Sequence, residues 1–112
     1  MDDPIQVYLR TVAAVPPLTK DREIELSRHV LANDSQAENA GRELVESNLA
    51  MVVSIAVRYG GRGVHTLDLI QRGNDGLLSA LQTLSEHPNE SFSDYAAACV
   101  ESAIASASAH RK

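Results

Sequence analysis

Tryptophan is absent from this chain and phenylalanine occurs once, at Phe92, so that with three tyrosines the aromatic share is 4% while apolar residues make up 44%. Any core must be built from Leu, Val, Ile and Ala, which favours packed helices. Cysteine is nearly missing as well, and Cys99 alone excludes an internal disulfide. No secretory leader and no apolar run of transmembrane length is found, so the expected compartment is cytoplasmic, without membrane association. His29, His65, His87 and His110 lack the i, i+4 pairing or Cys/His spacing of a metal site. Gly60, Gly61 and Gly63 follow a helical pattern rather than a strand, which is not the setting of a phosphate loop. The expectation is a chain with no catalytic residue, no metal and no cofactor, and not an enzyme.

Basic residues are also scarce, and their scarcity is uneven. The formal charge is −5 overall; residues 1–65 carry seven basic and nine acidic side chains, whereas residues 66–109 set Arg72 alone against six acids. A half so acidic repels a phosphate backbone, whose neutralisation supplies most non-specific nucleic-acid affinity. At 112 residues the chain suits one domain that buries somewhat under ~70% of the surface its unfolded form exposes.

The residues that are present are patterned for helices. Asp3 and Pro4 read as an N-cap and a first-position proline, opening a short helix through Ile5, Tyr8, Leu9 and Val12 that Pro16 and Pro17 end. Thr19 caps a second helix, with Asp21 and Glu23 in its first turn and Ile24, Leu26, Val30 and Leu31 following, before a break at Asn33, Asp34 and Ser35. From about Gln36 to Tyr59 apolar residues recur at spacings of three and four, which predicts one long helix ended by Gly60 and Gly61 in a left-handed conformation.

Thr66 is expected to cap the next helix, whose positions 67, 70, 74, 77, 81 and 84 form a heptad-like seam of Leu and Ile interrupted by Asn74. Asn74 reads either as a partner contact or as a buried polar residue that fixes helix register. Residues 85–91 are a loop, and Ser91 or Ser93 caps a final helix with Phe92, Tyr95, Ala96, Cys99, Val100, Ala103, Ile104 and Ala107 on one face. On that face Cys99 reads as a structural thiol. The fold class predicted is an all-α compact bundle of about five helices.

Laid end to end, DPIQVYLRTVAAVPPLT, ESNLAMVVSIAVRYGGRG, LDLIQRGNDGLLSAL and FSDYAAACVESAI resemble the bacterial primary-type sigma factors of the sigma-seventy family, from their first non-acidic region through their second. The resemblance covers nearly the whole chain, with residues 1–33 corresponding to the first part and 34–112 to the second, in one sigma-like helical domain. It implies a helical domain that docks on the clamp coiled coil of core RNA polymerase and opens promoter DNA at the minus-ten element.

On that resemblance Leu67, Asp68, Gln71, Arg72, Asn74 and Leu78 are the positions expected to touch polymerase. Arg72 departs from the family, which usually has Glu there; an exposed pair contributes about 1 kcal/mol or less, so the reversal weakens docking without abolishing it. The DNA side departs much further. Where the family carries a Tyr, paired Trp and a set of Arg, Lys and Gln that hold the non-template strand, this chain has Glu86, Ala98, Cys99, Glu101, Ser102 and Ser106. Upstream basic positions have become Ala50, Val57 and Gly60. Base–aromatic stacking contributes roughly 1–3 kcal/mol per base, so a face without rings loses most of what offsets unpairing the duplex. Tyr8 and Arg10 resemble a part of the family that touches DNA downstream of the minus-ten element, where one arginine cannot carry binding alone.

The expected function is a sigma-like transcription module that binds a protein partner, the polymerase clamp first, with promoter melting lost or weak. Two other readings stand beside it: a sigma mimic that sequesters an anti-sigma factor, and a divergent fragment of a conventional promoter-binding sigma factor. The Ala- and Ser-rich outer face of the last helix adds self-association as a fourth.

Overall fold

The computed structural model describes residues 3–60 and 65–109, and among them every regular element is helical. Helix α1 (Pro4–Ala13) begins as its first residues dictate: the Asp3 carboxylate accepts from the Ile5 N–H at 3.0 Å, with proline at the first helical position. Helix α2 (Lys20–Ala32) is capped by the Thr19 hydroxyl, which accepts from the Arg22 N–H at 3.1 Å. It ends at Asn33, whose φ of 50° is the left-handed conformation that closes many helices.

The long apolar period from Gln36 to Tyr59 is two helices rather than one, α3 (Ala37–Glu46) and α4 (Leu49–Tyr59). The cause lies in two side chains. Asn48 Nδ2 donates to the Leu44 carbonyl at 2.8 Å and Ser47 Oγ to the same oxygen at 3.1 Å, while the Asn48 N–H turns to Val45 instead. Short polar side chains thus take over the carbonyl that a continuous helix would use, and the axis breaks there. Asn48 is buried but satisfied.

Helix α5 (Thr66–Gln82) starts one residue earlier than expected, since Thr66 is its first residue and His65 stands at the cap without a side-chain cap bond. Gly60 closes α4 in extended backbone, φ −66° and ψ 159°, not in the left-handed form; Gly61 lies outside the described residues. A 3-10 turn (Leu84–Glu86) leads to α6 (Phe92–Ala109). Of the two serines proposed as its cap, Ser91 does the work, accepting from the Asp94 N–H at 3.1 Å. Ser93 instead donates its hydroxyl and its N–H to the Glu23 carboxylate of α2, at 2.5 and 3.3 Å.

One core cluster draws on α2 through α6. Leu44, Val52, Leu69, Leu77, Leu84, Phe92, Val100 and Ile104 are its largest fully buried side chains, so the single phenylalanine is the one ring at its centre. Helices α5 and α6 form the most extensive pair, and α4 packs on both. Helix α1 lies outermost, burying Val12 and resting on α4. Helix α2 is tied to α3 by Arg22, whose Nε and Nη2 donate to the Glu43 carboxylate at 3.1 and 2.9 Å. No described helix is long and apolar enough to cross a membrane.

Candidate docking face

Helix α5 is two-sided. Leu69, Ile70, Gly73, Gly76, Leu77 and Ala80 are buried against the rest of the bundle. Leu67, Asp68, Gln71, Arg72, Asp75 and Leu78 are exposed. Successive helical residues turn by about 100°, so the six positions the sequence singled out, Leu67, Asp68, Gln71, Arg72, Asn74 and Leu78, fall within roughly 160° of arc on the solvent side. The structure therefore brings all six together on one helix face. Of the heptad-like seam, Ile70, Leu77 and Leu84 are buried, Asn74 and Leu81 are half-buried and Leu67 is 39% exposed, and the buried stripe widens to take in Leu69, Gly73, Gly76 and Ala80.

Two features of this face bear on binding. Leu67 and Leu78, at 39% and 48% exposure, are large apolar side chains left on a polar face at either end of three helical turns. Asn74 sits at the border between the buried and exposed sides, half-buried, with its Oδ1 enclosed and without a hydrogen-bond partner among the described residues. Asp75 shares the face and was not singled out from the sequence. Its spacing could have found it, since Asp68 and Asp75 stand four residues before and three after Arg72, neighbours on a helix surface. No ion pair is formed by Arg72 among the described residues.

The positions expected to be degenerate for DNA are spread over a different region. Ala98, Ser102 and Ser106 are exposed along one side of α6, and Glu86 is exposed in the 3-10 turn. Cys99, a free thiol, is half-buried and sits where α6 meets Gly76. Glu101 reaches across to α4, where the Arg58 Nη2 donates to its Oε1 at 2.9 Å and the Tyr59 hydroxyl to its Oε2 at 2.5 Å. The Tyr59 bond, with the Arg58 charge adding to it, holds the Glu101 carboxyl below the ordinary carboxylate range, against the opposing effect of burial. On α4, Ala50 and Val57 are exposed, the latter 60%. In the connecting loop His87 stacks on the Tyr95 ring at 4.1 Å and pairs with Glu90 at 2.7 Å, and the Tyr95 hydroxyl shares a 2.6 Å hydrogen bond with Thr83. The Tyr95 ring of α6 is thus covered by the imidazole of the loop. His29 pairs with Asp34 at 2.7 Å, and no group of three metal-ligating side chains occurs among the described residues.

Comparison with known proteins gives two matches that divide the chain. The sigma-70 region 2 family model matches residues 44–112, and the sigma-70 factor region 1.2 model matches residues 3–36. Among individual proteins, the RNA polymerase sigma factor SigA of a Bacillus species is 42% identical over 104 residues, covering 93% of this chain and 27% of that protein. SigA of Listeria monocytogenes is 44% identical over the same shares, and SigA of Lactococcus lactis subsp. cremoris is 41% identical over 93% of this chain and 29% of its own length. The chain thus spans between a quarter and a third of the relatives it matches.

Proposed function

Because the chain belongs to the sigma-70 family, matched in regions 1.2 and 2, we propose that it is a sigma-like transcription module that works by protein docking through the outer face of α5, with the clamp coiled coil of core RNA polymerase as partner and promoter melting lost. Sigma factors are not enzymes, in keeping with a chain whose chemistry is all recognition. The observation that carries this reading is the pair Leu67 and Leu78, exposed on the helix whose opposite side is fully buried, among Asp68, Gln71, Arg72 and Asn74.

Burying a leucine fully contributes about 1.5–3 kcal/mol, so two that are still 39% and 48% exposed retain a substantial part of that for a partner. Against this, the exposed α6 positions Ala98, Ser102 and Ser106 are small side chains with neither ring nor charge to offer a nucleic-acid strand. The mechanism is occupancy: a bound module denies the clamp to an authentic sigma factor or supplies one part of a divided one.

The test is retention on immobilised core RNA polymerase. Leu67→Asp and Leu78→Asp are expected to weaken binding at least tenfold, which corresponds to about 1.4 kcal/mol, while Val57→Asp on α4 leaves it unchanged. Absence of retention by the wild-type chain, or equal retention of all three variants, removes the clamp as partner. Arg72, exposed between two acids and opposite in sign to the family's usual residue, favours a second reading in which the same face captures an anti-sigma factor. Competition between core polymerase and an anti-sigma factor for the wild-type chain separates the two.

A further inference from the structure

The outer side of α5 carries two ridges, one apolar and one charged. At about 100° per residue, Leu67 and Leu78 fall within about 20° of one another around the axis, and so do Asp68 and Asp75, with Arg72 about 40° beyond Asp68 and Gln71 between the two ridges. All six side chains are exposed. Along the axis the leucines stand about 16 Å apart and the three charges span about 10 Å, at about 1.5 Å of rise per residue. The charged ridge therefore reads acid, base, acid. Arg72 follows Asp68 by four residues and precedes Asp75 by three, spacings at which helix neighbours can pair, yet none of the three enters an ion pair among the described residues. Other arginines are engaged, Arg22 with Glu25 and Glu43 and Arg58 with Glu101. The single basic residue of positions 66–109 is thus held out with its donors unspent.

We infer that Arg72 is the specificity residue of the docking face: α5 takes a partner helix whose apolar side packs on Leu67 and Leu78 and whose flank sets a carboxylate on Arg72, between two bases that face Asp68 and Asp75. The inference rests on the reading of α5 as the clamp-docking helix and adds which clamp surface fits it. When two helices pack along an apolar seam, the charges flanking the seam meet, and they decide partner and register more than they add affinity. Asp68 and Asp75 are seven residues apart, two helical turns, so the partner meets them with bases of the same spacing and an acid three or four residues from each. A slip of one turn would set a partner base against Arg72, and like charges brought together oppose that register. The same residue rejects a helix that carries a base at the centre of its flank. Leu67 and Leu78 anchor any apolar helix; the ridge beside them chooses among such helices.

The experiment is biolayer interferometry of the whole chain on immobilised core RNA polymerase at low and high salt. At low salt Arg72→Gln is expected to weaken binding about threefold and Arg72→Glu about tenfold, as loss and then reversal of one exposed pair would. Both losses should shrink at high salt. Arg72→Asp combined with Asp75→Arg keeps the net charge and changes only the order, and is expected to weaken binding about as much as Arg72→Glu. Arg28→Glu, the same charge change on the exposed side of α2, controls for net charge and should change affinity by less than about twofold. Thermal melts followed by circular dichroism check that each variant is folded; Arg72→Gln, the mildest change, decides the matter if the others melt early. Binding that Leu67→Asp weakens but Arg72→Glu leaves equal or tighter, that Arg28→Glu weakens as much as Arg72→Glu, or that survives the exchange of positions 72 and 75, overturns the inference and leaves the docking reading in place. Absence of binding by the wild-type chain overturns both.

Discussion

Gly73 and Gly76 sit on the side of α5 where a methyl group has no room. A Cβ at Gly73 would stand 2.6 Å from Val52 Cγ1 and 2.9 Å from Ile104 Cδ1; at Gly76 it would stand 2.9 Å from the Cys99 carbonyl oxygen and 3.2 Å from Val100 Cα. The second case is the harder one, because its neighbours are backbone and cannot turn aside. Gly41 makes the contrast, meeting only the flexible end of Leu81 at 3.1 Å. Alanine gains up to about 1 kcal/mol over glycine inside a helix, and overpacking costs about 1–3 kcal/mol. Gly76→Ala is therefore expected to lose about 1–2 kcal/mol net and to lower the melting temperature by several degrees, while Gly41→Ala stays level or gains up to about 1 kcal/mol. Thermal melts followed by circular dichroism check both; a Gly76→Ala chain that melts higher than wild type would mean that α5 and α6 can separate at little cost. The sequence shows these glycines as weak points in a helical period, but not that α6 lies against them.

At the level of elements, what could be read in advance was whatever local side chains decide. Asp3 and Thr19 cap as their types and spacing imply, because the acceptor and its N–H are two or three residues apart. The break between α3 and α4 escaped the same reading, since apolar periodicity runs straight through Ser47 and Asn48 while the competition for the Leu44 carbonyl is a matter of rotamers. The start of α6 combines both kinds of cause. Ser91 caps locally, but Glu23 reaches from α2 to accept both the hydroxyl and the N–H of Ser93, placing a carboxylate where the helix dipole is positive. Glu23→Ala should cost about 1–2 kcal/mol, as loss of a charged helix cap does. Hydrogen exchange is the discriminating measurement: protection should fall in the first turn of α6 and at its contact with α2 and remain at the far end of the helix. Uniform loss of protection would show that Glu23 supports the whole bundle rather than one terminus.

Across the whole molecule, the bundle and the separation of an apolar-bearing α5 face from a cation-poor α6 face were legible, because each rests on the order and type of residues within single helices. The Glu101 pairing was not, since it joins side chains 42 and 43 residues apart and depends on how α4 and α6 cross. Such pairs also govern how the fold responds to acid. Hydrogen bonds from Arg22 to Glu25, from His29 to Asp34 and from Tyr59 to Glu101 each hold a carboxyl below its ordinary value. A group whose folded value is depressed stabilises the fold above its unfolded value, about 4, and loses that contribution as pH falls through the folded one, because the unfolded chain then binds more protons. Net charge acts in a second way. Above the isoelectric point of about 5.2 lowering the pH relieves repulsion among the excess acids, so it opposes the loss of pairing; below it the chain becomes increasingly positive and the two effects act together. The urea midpoint should therefore change little from pH 7 to about 5 and then fall continuously toward pH 2.5. The three carboxylates are each 40% or more exposed, so added salt should make that fall shallower by screening both effects. Glu101→Gln should flatten it further by removing one of the three groups, and a midpoint that holds or rises below pH 4 would mean that these pairs do not couple protons to folding.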